Sequence, residues 1–418
     1  MKKFALIICF ALLLYLTYSS ATTGYAALLT EKALAARDLD RASNAVRLSP
    51  DNPRPRVVLG ALLEASEERP TAIQLYQTAV ALRPDDYLLR LQLARALELE
   101  GDSKAAIDSA SIAVVLAPSY AQAHWQLGNI LIRAGRSEAG FSELRFAATS
   151  DPTLLPGIID LAWQLSEGHH EFIGRAIDPQ TPQAYRALFL DFKKRGLTRE
   201  ANRWLKLGGD ALRDERRAYL SELIGAEKFT EAYEVWAIEH PSDPDGEILP
   251  NGSFENQTDL SEPGFSWRVS NPDKSVVLSL DNELPKQGHS SLRFDFNGAT
   301  PAADLISRLL LLQSKSHYKL HFSFRADNLV SGGLPYLVVI DAMTDKPLGL
   351  TEVFQPTTDG WRDGVIEFTT GESTDANAAI RIALQRQACP APQCPIFGKL
   401  WLDDFFLQGP GQYIQRVR

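Results

Sequence analysis

The sequence predicts a multidomain α + β protein. An N-terminal membrane helix is expected to precede an α-solenoid of helical hairpins and a C-terminal antiparallel β-sandwich. Three observations lead to this prediction: the first segment is apolar, prolines then recur at a fixed interval, and the last part alternates apolar and polar residues in short runs. A chain of 418 residues has room for two or three such domains.

The bulk composition is that of a folded, acidic protein. Hydrophobic residues make up 45% of the chain and charged residues 23%, close to the averages of globular proteins. The formal net charge is -9, and there is no basic run of the kind that neutralises phosphate backbones. We therefore expect no nucleic-acid partner.

The N-terminus has the features of an export signal. Lys2 and Lys3 precede a nearly unbroken apolar stretch from Phe4 to Tyr18. Residues 1–21 form either a signal peptide cleaved after Ala21 or an uncleaved membrane anchor. A membrane-spanning helix needs about 20 residues, so the anchor would have to include the weakly polar residues that follow the apolar stretch. The missing spacer before the repeats favours the anchor. Both alternatives place the protein in the cell envelope, either anchored in the inner membrane and facing the periplasm or secreted.

Prolines mark a helical repeat. Pro50, Pro84, Pro118 and Pro152 each lie 34 residues after the one before. Small residues recur at matching positions between them, where two helices of a hairpin must approach closely: Gly60, Ala94, Gly128, Ala72, Ala106 and Gly140. The pattern resembles the tetratricopeptide repeat, whose unit has this length. Residues 22–241 are therefore predicted to form the solenoid, with divergent hairpins at its end.

The resemblance implies that the first helix of each repeat lines a concave groove. Residues four apart share one face of a helix, and one such face carries mixed polar and aromatic side chains. The predicted partner-binding groove consists of Arg95, Glu98, Trp125, Asn129 and Arg133. A solvated face without a partner is the alternative, and a protein partner is what the resemblance implies.

The C-terminal part reads as strands. After a linker at residues 242–247, apolar and polar residues alternate in runs such as Ser290–Phe296 and Tyr318–Phe324. Short alternating runs separated by Gly, Pro and Asn loops are typical of an antiparallel sandwich. We assign residues 248–410 to this domain and 411–418 to a tail.

Four segments of the predicted sandwich resemble the carbohydrate-binding-module jelly rolls of the galactose-binding-like fold: Leu249–Glu255, Gly288–Arg293, Gly360–Trp361 and Leu400–Phe405. The resemblance implies a jelly roll in which Glu255 and Asp403 match the surroundings of a structural calcium; turn and capping hydrogen bonds are the alternative. No other cofactor is expected.

Aromatic side chains of the sandwich are the candidates for sugar stacking. Trp267, Tyr336 and Trp361 are candidates for contact with carbohydrate, but core packing is the favoured interpretation for each. Of the three cysteines, Cys389 and Cys394 flank the short run Pro-Ala-Pro-Gln. In an exported chain such a pair predicts a disulfide.

Catalytic motifs are not found in the sequence. No Gly-x-Ser-x-Gly elbow, phosphate-binding loop or His-Glu-x-x-His is present, so we expect no enzyme. The leading interpretation is an envelope scaffold or adaptor that binds a protein through the repeat groove. The combination of the two halves resembles bacterial proteins of exopolysaccharide or O-antigen assembly and export. A glycan-binding protein that acts through the sandwich is the first alternative, and a glycoside-active enzyme with a carboxylate pair is the second.

Overall fold

The computed structural model describes the following residues: 2–240, 249–255, 262–269, 276–300, 304–372, 376–389 and 393–410. The predicted linker at 242–247 and the predicted tail at 411–418 lie outside them. The chain divides into two compact units, Met1–Asp191 and Phe192–Arg418, and each is considered by itself.

The first unit consists of helical hairpins. Its helices are α1 (Lys2–Ala36), α2 (Leu39–Leu48), α3 (Pro53–Ala65), α4 (Arg69–Leu82), α5 (Tyr87–Glu100), α6 (Ser103–Leu116), α7 (Ala121–Arg133), α8 (Ser137–Ser150), α9 (Leu155–Ser166) and α10 (His170–Ile177). Helices α3, α5 and α7 begin at 53, 87 and 121, so their starts lie 34 residues apart. This interval is the one that the proline spacing predicts.

Local sequence sets the boundaries of these hairpins. The carboxylate of Asp86 accepts the backbone N–H of Leu88 at 3.0 Å, and that of Asp102 accepts the N–H of Ala105 at 3.0 Å. Gly101, between the two helices, has a φ of 93°, which a residue without a Cβ adopts at little cost. Side-chain caps and a glycine in the left-handed region are standard start and stop signals for helices.

The small residues at the matching positions allow the two helices of a hairpin to touch. A Cβ added to Gly128 in α7 would lie 2.9 Å from the carbonyl oxygen of Gly140 in α8, and a Cβ on Gly140 would lie 2.8 Å from the carbonyl oxygen of Gly128. The two backbones therefore cross in direct contact, and no side chain fits between them.

Helix α1 does not separate into an N-terminal segment and a first repeat helix. It runs without interruption from Lys2 to Ala36, and its C-terminal part is buried with α2 and α3 through Ala33, Ala42 and Val58. Within the part of the chain that the structure describes, no helix combines the length and apolar character needed to cross a bilayer. The predicted N-terminal membrane helix therefore has no structural support.

In the residues that the structure describes, the second unit contains three further α-helices and ten strands. The boundary between the units falls within α11 (Pro182–Lys194), and α12 (Thr198–Gly208), α13 (Arg213–Gly225) and α14 (Phe229–Trp236) follow. The strands are β1 (Arg268–Val269), β2 (Val276–Asp281), β3 (Ser291–Asn297), β4 (Asp304–Gln313), β5 (His317–Ser331), β6 (Pro335–Asp341), β7 (Pro347–Leu350), β8 (Arg362–Thr369), β9 (Asn377–Arg386) and β10 (Ile396–Gln408).

The strands form two antiparallel sheets. Sheet A has the order β1-β4-β9-β6-β7 and sheet B the order β2-β3-β10-β5-β8. Leu292 and Leu400 of sheet B and Leu337 and Ile380 of sheet A are fully buried in one shared hydrophobic cluster. The α + β class and the antiparallel sheets are confirmed; the finer assignment to the jelly-roll family is not.

Sheet A is apolar on both faces. Leu337 and Val339 of β6 belong to the cluster between the sheets, yet the alternate residues Val338 and Ile340 are buried as well. Helix α14 lies against β4 and β9 of this sheet. A sheet that is covered on both faces gives continuous apolar strands rather than alternating ones, which explains the uninterrupted run in β6.

Helix α14 and the start of the sandwich are joined by aromatic packing. The rings of Tyr233 and Trp236 lie 5.1 and 5.8 Å from the ring of Phe265, which is buried. Gly264 has a φ of 128°, and an added Cβ there would lie 2.5 Å from Trp236. These helices belong to the same unit as the sandwich, because the unit boundary at Asp191 and Phe192 falls inside the segment 22–241 that was predicted to form the solenoid.

Candidate functional site on the first helices

The candidate site is the face of α3, α5 and α7 that carries the predicted groove residues, here called the first-helix face. Arg95 of α5 places its Nη2 atom 2.9 Å from Oε2 of Glu64 in α3. The hydroxyl of Tyr76 also donates to this Glu64 oxygen, at 3.1 Å. Burial and the neighbouring Glu64 carboxylate raise the pKa of Tyr76, so the phenol stays a donor.

A second ion pair repeats this arrangement one hairpin further along. Nε and Nη2 of Arg133 in α7 both donate to the carboxylate of Glu98 in α5, the latter over 2.8 Å. Two parallel bonds between a guanidinium and a carboxylate fix the geometry of both side chains. The Arg133 side chain is 59% exposed and that of Glu98 16%, so the pair contributes about 0–1 kcal/mol to stability, as surface pairs do.

Trp125 and Asn129 are placed by their own helix and by α9. Trp125 is half-buried, and a Cβ added to Gly157 of α9 would lie 3.5 Å from its Cη2 atom. The side-chain amide of Asn129 donates to the carbonyl oxygen of Trp125 over 2.8 Å. Both residues lie on the face that the four-residue spacing predicts, and one of the two N–H donors of the Asn129 amide is used within α7.

Two exposed leucines complete the face, although the spacing of polar and aromatic residues did not reveal them. Leu88 is 44% and Leu99 50% exposed, and they lie seven residues before and four residues after Arg95, on the same side of α5. Glu64 was missed as well, although it lies one repeat length before Glu98. The period itself was therefore the signal that could have found it. Chemically the face offers apolar contacts and fixed charged groups, the elements of a binding surface.

The aromatic residues predicted to contact sugars are placed differently from one another. Trp267 is 2% exposed and belongs to the core between the sheets, where its ring lies 4.9 Å from that of Phe405. Its faces are therefore not available for stacking on a sugar. Tyr336 donates its hydroxyl to Gln385 at 3.1 Å and packs beside Val338, whereas Trp361 is half-buried in the loop before β8.

Glu255 bonds the backbone of the loop before β3. The carboxylate accepts the N–H groups of His289 at 2.9 Å and Ser290 at 3.2 Å. Burial works to raise the pKa of Glu255, but these hydrogen bonds outweigh it and lower the pKa.

Asp403 is fully buried and bonds the same loop. It accepts the N–H groups of Lys286 at 2.8 Å and Asp404 at 2.6 Å. Burial raises the pKa of Asp403 to about 6 despite these bonds. Among the described residues no group of three or more His, Cys, Asp or Glu is arranged to hold a metal ion. The calcium site at Glu255 and Asp403 therefore stays a prediction, and in the structure both carboxylates accept backbone hydrogen bonds.

A disulfide joins Cys389 and Cys394, the pair that the sequence predicts, with their Cα atoms 5.9 Å apart. The bond lies at the end of sheet A, beside the end of β5.

The comparisons with known proteins give no family for this chain: neither a family model nor a curated protein matches it. Among solved structures, a crystal structure of MamA is 20% identical, covers 46% of this chain and 96% of that chain, and has a TM-score of 0.29. MamA residues 41 to the end from Desulfovibrio magneticus RS-1 are 16% identical and cover 41% and 97% of the two chains, with a TM-score of 0.34. These scores are too low to carry an argument, so the functional reasoning rests on the residues described above.

Proposed function

We propose that this protein is a non-enzymatic scaffold that binds a protein partner through the first-helix face. The observation that supports this most strongly is the presence of two salt bridges, Glu64–Arg95 and Glu98–Arg133, on a face that also exposes Leu99. The bridges add little to stability because their arginines are half exposed or more. They do hold long side chains in fixed positions, which lowers the entropic cost of binding.

The chemistry of the face suits a polypeptide. The exposed leucines and the half-buried tryptophan of this face provide apolar area. Its fixed guanidinium groups can donate to a backbone carbonyl or a carboxylate of the partner. Helical repeats present such extended surfaces as their main means of binding. We therefore propose that the protein partner binds the part of the first-helix face that contains Leu99, Trp125 and Arg133.

We also place the protein in the cell envelope, exported into an oxidising compartment. The apolar N-terminal segment and the disulfide between Cys389 and Cys394 support this, because stable disulfides are typical of exported proteins. A part in exopolysaccharide or O-antigen assembly rests only on the resemblance of the two halves. A glycan-binding role for the sandwich has less support, since Trp267 is a core residue.

Site-specific photo-crosslinking in cells tests the proposal. A crosslinking residue replaces Leu99 on the first-helix face in one strain and Val115, which is 78% exposed on α6, in a control strain. The proposal expects one defined protein to be captured at position 99 and not at 115. Equal capture at both positions, or a defined protein at 115 alone, would overturn it.

A further inference from the structure

A guanidinium group is held against the disulfide of the second unit. Arg386, the last residue of β9, places Nη2 3.1 Å from Sγ of Cys394 and 2.6 Å from Oγ of Ser331. Its Nη1 donates to the carbonyl oxygen of Cys394 at 3.0 Å and its Nε to that of Gly333 at 3.1 Å. Four contacts from one side chain fix the charge beside one particular sulfur atom.

Among the residues that the structure describes, Arg386 bonds to no anionic group. Every hydrogen bond it makes within the described residues ends on a neutral oxygen or on sulfur, and burial lowers its pKa with no opposing carboxylate. A partly buried cation without a counter-charge is unfavourable. A thiolate at Cys394 would supply that counter-charge at hydrogen-bond distance.

We propose that Cys389–Cys394 is a thiol–disulfide exchange site in which Cys394 is the thiolate stabilised by Arg386. The partner is a dithiol, either a small molecule or an exported protein. An arginine beside a cysteine favours the thiolate over the thiol. This role is separate from the first-helix face.

The exposure of the two cysteines indicates which sulfur atom an incoming thiolate attacks. Cys394 is 9% exposed, and Cys389 is the more accessible of the two. The glycine backbone lies beside the Cys389 sulfur: a Cβ added to Gly332 or Gly333 would be 3.3 or 3.1 Å from Sγ.

The exchange proceeds in two balanced steps. One thiolate of the dithiol attacks Sγ of Cys389, the disulfide breaks, and its electron pair leaves with Cys394 as a thiolate beside Arg386. The second thiol of the partner, as its thiolate, then attacks the partner sulfur of the mixed disulfide. This releases Cys389, which takes up a proton as a thiol, and leaves the partner oxidised. A leaving group that is a stabilised thiolate departs faster.

The test measures ionisation of Cys394 directly. In full-length protein carrying Cys9→Ser and Cys389→Ser, the only thiol is Cys394, and its thiolate absorbs near 240 nm. We expect Arg386→Gln to reduce the thiolate fraction at pH 7 about tenfold and to slow alkylation by iodoacetamide only about fourfold, because a more basic thiolate is also more nucleophilic. Arg386→Lys, which keeps a positive charge, should restore most of the thiolate.

Arg381→Gln is the matched control. Arg381 lies on the same strand but pairs with Asp304 and Asp345, so its loss should leave Cys394 unchanged. The proposal is overturned if Cys394 in the parent protein titrates like an ordinary exposed cysteine. It is also overturned if the parent protein and the Arg386→Gln variant have equal thiolate fractions. The parent titration decides the matter even if Arg386→Gln does not fold.

Discussion

The packing of Phe265 against α14 predicts that the helices after Phe192 and the sandwich unfold together. Phe265 is 2% exposed, with Tyr233 and Trp236 against its ring. Replacing a buried phenylalanine by alanine costs about 3–5 kcal/mol, since contacts are lost and a cavity remains. At about 1.4 kcal/mol per tenfold change, the smaller value corresponds to roughly a hundredfold rise in the population of the open state.

Hydrogen exchange followed by mass spectrometry measures this population peptide by peptide. In Phe265→Ala we expect faster exchange, by about a hundredfold, both in α13–α14 and in the strands of sheet A, with the hairpins α3–α8 unaffected. Phe141→Ala is the matched control: Phe141 is as buried as Phe265 and packs on Phe172 in the first unit. Phe141→Ala should speed exchange in the hairpins of the first unit and leave α13–α14 and sheet A unaffected. Unchanged protection of α13–α14 in Phe265→Ala would refute the reasoning.

Two further predictions concern stability. Gly128→Ala should reduce the free energy of unfolding by about 1–3 kcal/mol, and so lower the melting temperature, because the added Cβ would meet the backbone of Gly140. Gly24→Ala is the control, since no atom lies within 4 Å of its added Cβ, and it should not lower the melting temperature. Equal effects of the two variants would contradict the close crossing of α7 and α8. Asp403, with its pKa raised from 3.8 to about 6, binds a proton more tightly in the folded than in the unfolded state. Its contribution to stability is therefore present at low pH and is lost as the pH rises from about 4 to about 6. Denaturant unfolding of the wild type and of Asp403→Asn across this range checks the sign, and a difference between them that is independent of pH would contradict it.

The repeat hairpins could be predicted from the sequence because their boundaries are set locally. Asp86, Asp102 and Gly101 start and stop helices through contacts within a few residues, and the small residues at the crossings recur with the period. Such features are visible in the order of amino acids alone.

The association of α13–α14 with the sandwich could not be predicted in the same way. Segment 213–236 has the same helical pattern as the repeats before it, and its partner Phe265 lies beyond a proline-rich stretch. Only the contact itself shows that Tyr233 packs on Phe265, just before β1, rather than on another hairpin. The uninterrupted apolar run of β6 is a local sign that sheet A is covered on both faces.

The candidate site was predicted in part. Spacing placed Arg95, Glu98 and Arg133 on one face, but it did not show that the arginines would bond to the protein's own carboxylates. Those bonds join residues that are 31 and 35 positions apart, and their geometry depends on how neighbouring helices stack. The same limit applies to Trp267, because a tryptophan near a strand does not reveal which face of the sheet it occupies.

The affinity of the crosslinked partner for two matched variants tests the central claim most directly. With the partner purified, titration calorimetry compares the wild type with Leu99→Gln on the first-helix face and Val115→Gln on α6, both of which exchange an exposed aliphatic side chain for a helix-compatible polar one. Losing a central apolar contact typically costs about 2 kcal/mol, or roughly thirtyfold in Kd. We predict that loss for Leu99→Gln with an unchanged melting temperature, and wild-type affinity for Val115→Gln. Wild-type affinity for Leu99→Gln, or the same loss in both variants, would contradict the claim that the first-helix face binds the partner.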